Sequence, residues 1–139
     1  MKAKHFKIEE LVYPGLVERG EDFAWQFLRP EAIVALDKIR EKFGPCTVNN
    51  YLWGGPRVAS GLRPLVGGVG AVMSLHRFGA AFDVVPQKVT PIEVYEYILK
   101  NQGEFPEIRR FEDAYMTKTW LHFDVANTQS DQIVTFKKG

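Results

Sequence analysis

Apolar residues at Ala32, Leu36, Ile39 and Phe43 recur at spacings of four and three, and Ile33 widens the stripe, which predicts an amphipathic helix. Pro30 suits the first helical position, Glu31 complements the positive end of the helix dipole, and Gly44-Pro45 stops the run. A second helix is announced by Thr90-Pro91-Ile92-Glu93, a capping-box pattern with proline at its first position. Its stripe is Ile92, Tyr95, Ile98 and Leu99, and it runs out at Asn101-Gln102-Gly103. Between the helices the period drops to two. Ala81, Asp83 and Val85 share one face of a predicted strand, Phe82 and Val84 the other, and Pro86 ends it. Further strands are predicted at about 46–52, 111–116, 120–125 and 132–136. The opening, up to Tyr13, reads as a short docking segment or one helical turn that breaks at Pro14-Gly15. This order of elements predicts an α+β fold: a small, largely antiparallel sheet with flanking helices.

Composition narrows the function classes. A chain of 139 residues fits one domain, 1–139. The net charge of +1, with Lys and Arg scattered, gives no basic stripe for nucleic acid. No stretch approaches the roughly 20 apolar residues of a membrane span, so no membrane insertion is expected. The single cysteine, Cys46, excludes an internal disulfide framework and reads as a small apolar residue opening a strand. No apolar run follows the first lysines, so a protein made in the cytoplasm without a signal peptide is expected. The run Gly67-Gly68-Val69-Gly70 lacks the GK[ST] ending of a phosphate loop and reads as a loop beside a cleft.

Candidate chemistry gathers in two segments. Ser74 to Val85 holds His76 and, seven positions on, Asp83. The segment from Thr119 to Val125 holds His122, with Trp120, His122 and Asp124 on one strand face and Leu121, Phe123 and Val125 on the other. A hydrolytic zinc site needs three protein ligands and an open fourth position, and His76, Asp83 and His122 can supply the three. The polar strand face suggests a site at the sheet surface, with Gly79 giving the backbone room to turn between ligands. His5, near the N-terminus, reads as a solvated residue.

The pattern Ser-x-His-x-x-Gly-x-Ala-x-Asp over Ser74 to Asp83, followed by Trp-x-His-x-Asp over Trp120 to Asp124, resembles the M15 group of zinc murein peptidases. These include D-alanyl-D-alanine carboxypeptidases and the L-Ala-D-Glu endopeptidase domains of phage endolysins, and they share the hedgehog-type fold. Ser60-Gly61-Leu62-Arg63-Pro64 is similar to the group's Ser-Gly-x-Arg segment, and the resemblance covers roughly residues 30–126. It implies Zn²⁺ on His76, Asp83 and His122, with Arg63 facing a substrate carboxylate or carbonyl. Ser74 would line the cleft, or cap the local turn, and Trp120 would form a wall for the peptide stem. The implied substrate is the peptide stem of peptidoglycan, met by a monomer that acts on the cell wall after release or as part of a virion.

One departure matters. Many members carry an acid three residues before the last histidine as general base, and here that slot is Thr119. Asp124 is the expected base, although it could instead orient a histidine, and Glu112 and Asp113 are further candidates. The departure also motivates an alternative, a non-catalytic zinc-containing binding or structural module of the same fold.

Overall fold

A computed structural model describes residues 1–71 and 73–137. Three helices open the chain: α1 (Pro14–Val17), α2 (Glu21–Trp25) and the long α3 (Pro30–Phe43). Strand β1 (Cys46–Thr47) follows, then β2 (Ala81–Pro86), helix α4 (Pro91–Lys100), β3 (Arg110–Glu112), the short α5 (Ala114–Thr117), β4 (Leu121–Asp124) and β5 (Val134–Phe136). The five strands stand in the order β1-β2-β4-β3-β5, antiparallel except for the β3–β5 pair. The fold is α+β with a small mixed sheet, largely antiparallel. Among the described residues no helix is long and apolar enough to cross a membrane.

Helices α3 and α4 form where the patterns place them. Pro30 and Pro91 stand at their starts, Gly44 closes α3 at φ 91°, and Thr90 and Glu93 complete the capping box on α4. Ala32, Ile33, Leu36 and Ile39 of α3 and Val94 and Ile98 of α4 are buried against one face of the sheet. That face carries Phe82, Phe111 and Phe123, all fully buried, with Phe82 opposite Phe123 and Phe123 opposite Phe111. Burying each such side chain contributes about 1.5–3 kcal/mol.

The same register decides the other face. Because side chains alternate, pairing Phe82 with Phe123 sets Asp83 directly opposite His122. A slip of one residue would send the phenylalanines to the polar side and separate the two ligands. Packing of the aromatic face therefore fixes the chemistry of the opposite one.

Elsewhere the chain departs from its patterns. The expected strand at 46–52 ends after Thr47, because Asn49 leaves the sheet to stitch the N-terminal segment down. Its backbone N–H donates to Glu10, its side-chain amide donates to the Val12 carbonyl at 3.2 Å, and its oxygen accepts from Ser60 N–H at 2.9 Å. The expected strand at 111–116 ends at Glu112, where Asp113 accepts from the Tyr115 N–H at 2.9 Å and starts α5. The opening segment forms a 3-10 turn at Ile8–Glu10 whose neighbours Phe6, Leu11 and Val12 are buried core. Pro14 starts α1 instead of breaking the chain, since proline fits the first helical position.

Candidate metal centre

Three elements deliver the site. A 3-10 turn, Leu75–Phe78, carries His76; its start is capped by Ser74, whose hydroxyl accepts the His76 N–H at 3.3 Å. Gly79 closes the turn at φ 67°, and any Cβ there would collide with the Phe27 carbonyl, so the turn can lie on the α2–α3 connection only because this residue is glycine. Strands β2 and β4 bring Asp83 and His122 from their opposed positions. Gly61 completes the frame. A side chain there would strike the Leu11 backbone, and the close approach aims the Gly61 carbonyl at His76.

The sequence expectations for His76, Asp83 and His122 converge on one point. His76 Nε2 stands 3.3 Å from His122 Nδ1 and 3.3 Å from Asp83 Oδ1, and His122 Nδ1 is 2.9 Å from Asp83 Oδ1. Three donors held about 2.0–2.1 Å from a tetrahedral centre stand roughly 3.3–3.4 Å apart, so the triangle closes to within a few tenths of an ångström. The far nitrogens are already engaged. His76 Nδ1 donates to the Gly61 carbonyl at 3.0 Å, and His122 Nε2 faces Asp124 Oδ2 at 3.2 Å. Each ring is thereby held in the tautomer whose free lone pair points at Asp83. Two imidazole lone pairs and a carboxylate aimed at one buried point need a proton or a cation between them. This His-Asp-His group can hold a metal ion.

Electrostatics say the same. Burial disfavours a charged His122, but hydrogen bonds to Asp124 and Asp83 outweigh it, and its pKa is pushed up to about 9. Burial likewise works against the Asp83 carboxylate, yet its contacts with the His122 and His76 rings hold its pKa well below the usual range. In the metal-free protein a proton on His122 therefore stands where a cation would go. A metal must expel that proton, so metal affinity should rise by about tenfold per pH unit and level off near pH 9. Chelator competition from about pH 6 to about pH 9 measures the slope, and a flat profile would remove His122 from the ligand set.

The group lies in a cavity of about 310 Å³ lined also by Arg63, Ser74, Arg110, Glu112, Trp120 and Phe136. Arg63, Ser74 and Trp120 are thus brought to the same cavity as the three donors. Arg63 Nε donates to the Ala59 carbonyl at 2.7 Å, and its Nη2 is 3.5 Å from Asp83 Oδ2. Gly70 and Ala71 bring the glycine-rich segment to the cavity wall.

Asp124 requires a correction. It shares the strand face of His122, but the Asp124 end of that face is covered by Arg110 and the chain beyond β4, and Asp124 is fully buried. Arg110 clasps both its oxygens through Nε at 3.0 Å, and one oxygen contacts the far nitrogen of His122. It does not line the cavity, so it cannot take a proton from a water there; it positions His122. Asp113 caps α5, and Thr119 is exposed outside the cavity. Among the described residues Glu112 is the one carboxylate besides Asp83 that lines it. Lone His5 pairs with Glu41 at 3.0 Å, and Cys46 opens β1, buried, its thiol pushed up to about 11 by burial.

Sequence reasoning missed Arg110 and Arg77. Arg110 lies over the Phe136 ring at 4.5 Å while it holds Asp124, and its signal was its place two residues before Glu112 on the same strand face. Arg77 is buried and donates to the Ala71, Pro64 and Gly70 carbonyls, tying the glycine-rich segment down. No local pattern marks it. Compared with family models, curated proteins and solved structures, the chain matches none.

Proposed function

We propose that this protein is a zinc-dependent peptidase that hydrolyses an amide bond in the peptide stem of murein, as a phage lysin or a virion-borne one. The observation that carries the proposal is the donor triangle of His76, Asp83 and His122 on the floor of an open cavity that also holds an arginine and a separate carboxylate. Two nitrogens and one oxygen suit zinc, and three ligands leave a fourth position for water. A zinc ion bound there would supply a Lewis acid and lower the pKa of a water toward ~7.

The chain's own residues supply the rest. Glu112 faces the cavity and takes the proton of the attacking water, then returns it to the leaving amine. Arg63 offers its planar fork to the scissile carbonyl or a neighbouring carboxylate as negative charge develops. Trp120 forms an apolar wall against the stem. Asp124 and Arg110 keep the His122 ring at its angle.

The test is digestion of purified sacculi followed by mass spectrometry of the muropeptides. Cleavage should stop with chelator and return with added Zn²⁺, and the product masses will identify the bond as D-Ala-D-Ala or L-Ala-D-Glu. One zinc per chain with no muropeptide cleaved would favour the second proposal, a zinc-containing binding module, which the exposed Thr119 in the usual base slot supports.

A further inference from the structure

A second and larger cavity, about 660 Å³, lies against the metal cleft. The wall between them is thin. Leu75 and His76 of the 3-10 turn face the metal cleft while Arg77 and Phe78 of the same turn face the second cavity, and Arg63 borders both. Most of its lining comes from the helical N-terminal segment, with Phe23 and Phe27 in edge contact at 5.1 Å, and Leu62, Leu65 and Phe78 complete the apolar surface. Phe23, Phe27, Phe78 and Leu65 remain 39%, 44%, 46% and 65% exposed around it. A concave apolar surface of this size with a few convergent polar groups is the usual form of a ligand site.

Charge says which ligand. Arg19, Arg29, Arg63 and Arg77 line the cavity, and none of its described lining residues is acidic. Arg29 is offset by an exposed Glu31 at 3.5 Å and Arg63 by Asp83. Arg77 spends its donors on carbonyls, which leave its charge uncompensated, and Arg19 lies over the Phe23 ring at 5.5 Å. The surface is complementary to an anion with apolar flanks.

We propose that this groove is the second half of the substrate site and receives an acidic peptide segment cross-linked to the stem whose amide lies in the metal cleft. The proposal rests on the murein-peptidase reading. A short stem lying over His76 fills the cleft on one side of the Arg63–Phe78 wall, and the groove on the other side takes what is joined to it. Carboxylates of a second stem meet the exposed Arg19 and Arg29, and its alanine methyls meet Phe23, Phe27 and Leu65. Cross-linked murein is then preferred over free stems.

Arg19→Glu and Phe27→Glu test this, since both side chains are exposed and neither touches the metal cleft. Binding is read by fluorescence anisotropy with the zinc-loaded full chain and labelled monomeric or dimeric muropeptide, with turnover measured in parallel. Wild type should bind the dimer about tenfold or more tightly than the monomer, one lost charge-paired contact being of that order. Each variant should erase the difference while monomer turnover and zinc content stay unchanged. Equal affinity of wild type for dimer and monomer, or variants that keep the preference, would overturn the proposal. So would groove-dependent sedimentation with phosphatidylglycerol vesicles and no groove-dependent muropeptide binding. If no bond is cleaved but dimer binding still depends on the groove, the peptidase reading fails and the groove assignment stands.

Discussion

Replacing His76 or His122 with alanine should leave a chain that no longer holds one zinc per molecule and no longer cleaves muropeptides. Each histidine contributes one corner of a triangle whose edges are 2.9 to 3.3 Å, and the described residues offer no substitute donor at either corner. Loss of an outer partner of a metal ligand costs about 10–100-fold in affinity, so loss of the ligand itself should exceed about 100-fold. The two variants differ in what they strand. Without His76 the Gly61 carbonyl loses its buried partner. Without His122 the Asp83 and Asp124 carboxylates lose the cation between them, a heavier cost to the metal-free fold. Metal analysis after dialysis, with circular dichroism to confirm folding, measures the outcome. Stoichiometric zinc in both variants would refute the ligand set.

That contrast also shows how far the fold could be read from the chain. Helices α3 and α4 were legible because stripe, proline start and stop agree at each. Strand β2 was legible through its alternation, but which residue of β4 stands opposite Asp83 was not, because register is set by the pairing of Phe82 with Phe123. The ends of β1 and β3 were not legible. Asn49 and Asp113 divert the chain through side-chain hydrogen bonds to distant or neighbouring backbone, and strand propensity carries no trace of those partners. Alternation likewise assigned Asp124 to the correct face but could not tell that Arg110 and the chain beyond β4 close over that face. A period of two reports which way a side chain points, never what covers it. Arg77 sits one residue from a ligand, and its three carbonyl partners are contributed by a loop whose path no local rule predicts.

The covering of Asp124 leads to the sharpest separation of roles. Glu112→Gln should keep zinc at one per chain and lower kcat by about 100-fold or more, the range for removing a positioned general base, with KM little changed. The amide is nearly the same size and stays in the cavity wall, so the fold and the donor triangle are left intact. Asp124→Asn should behave differently. Its oxygens hold the far nitrogen of His122 and the Arg110 guanidinium, so its loss should weaken zinc by about 10–100-fold through the misdirected ring, while turnover of fully loaded enzyme falls far less. The pH profile separates them further. The Asp124 carboxylate helps hold the His122 pKa near 9, and its removal should lower that pKa and let zinc bind at lower pH relative to its own plateau. Glu112→Gln should leave the pH dependence of zinc binding unmoved, since Glu112 lines the cavity outside the donor triangle. Normal kcat in Glu112→Gln, with a collapse of kcat in zinc-saturated Asp124→Asn, would return the base to Asp124 and require the cavity to open over β4 during turnover.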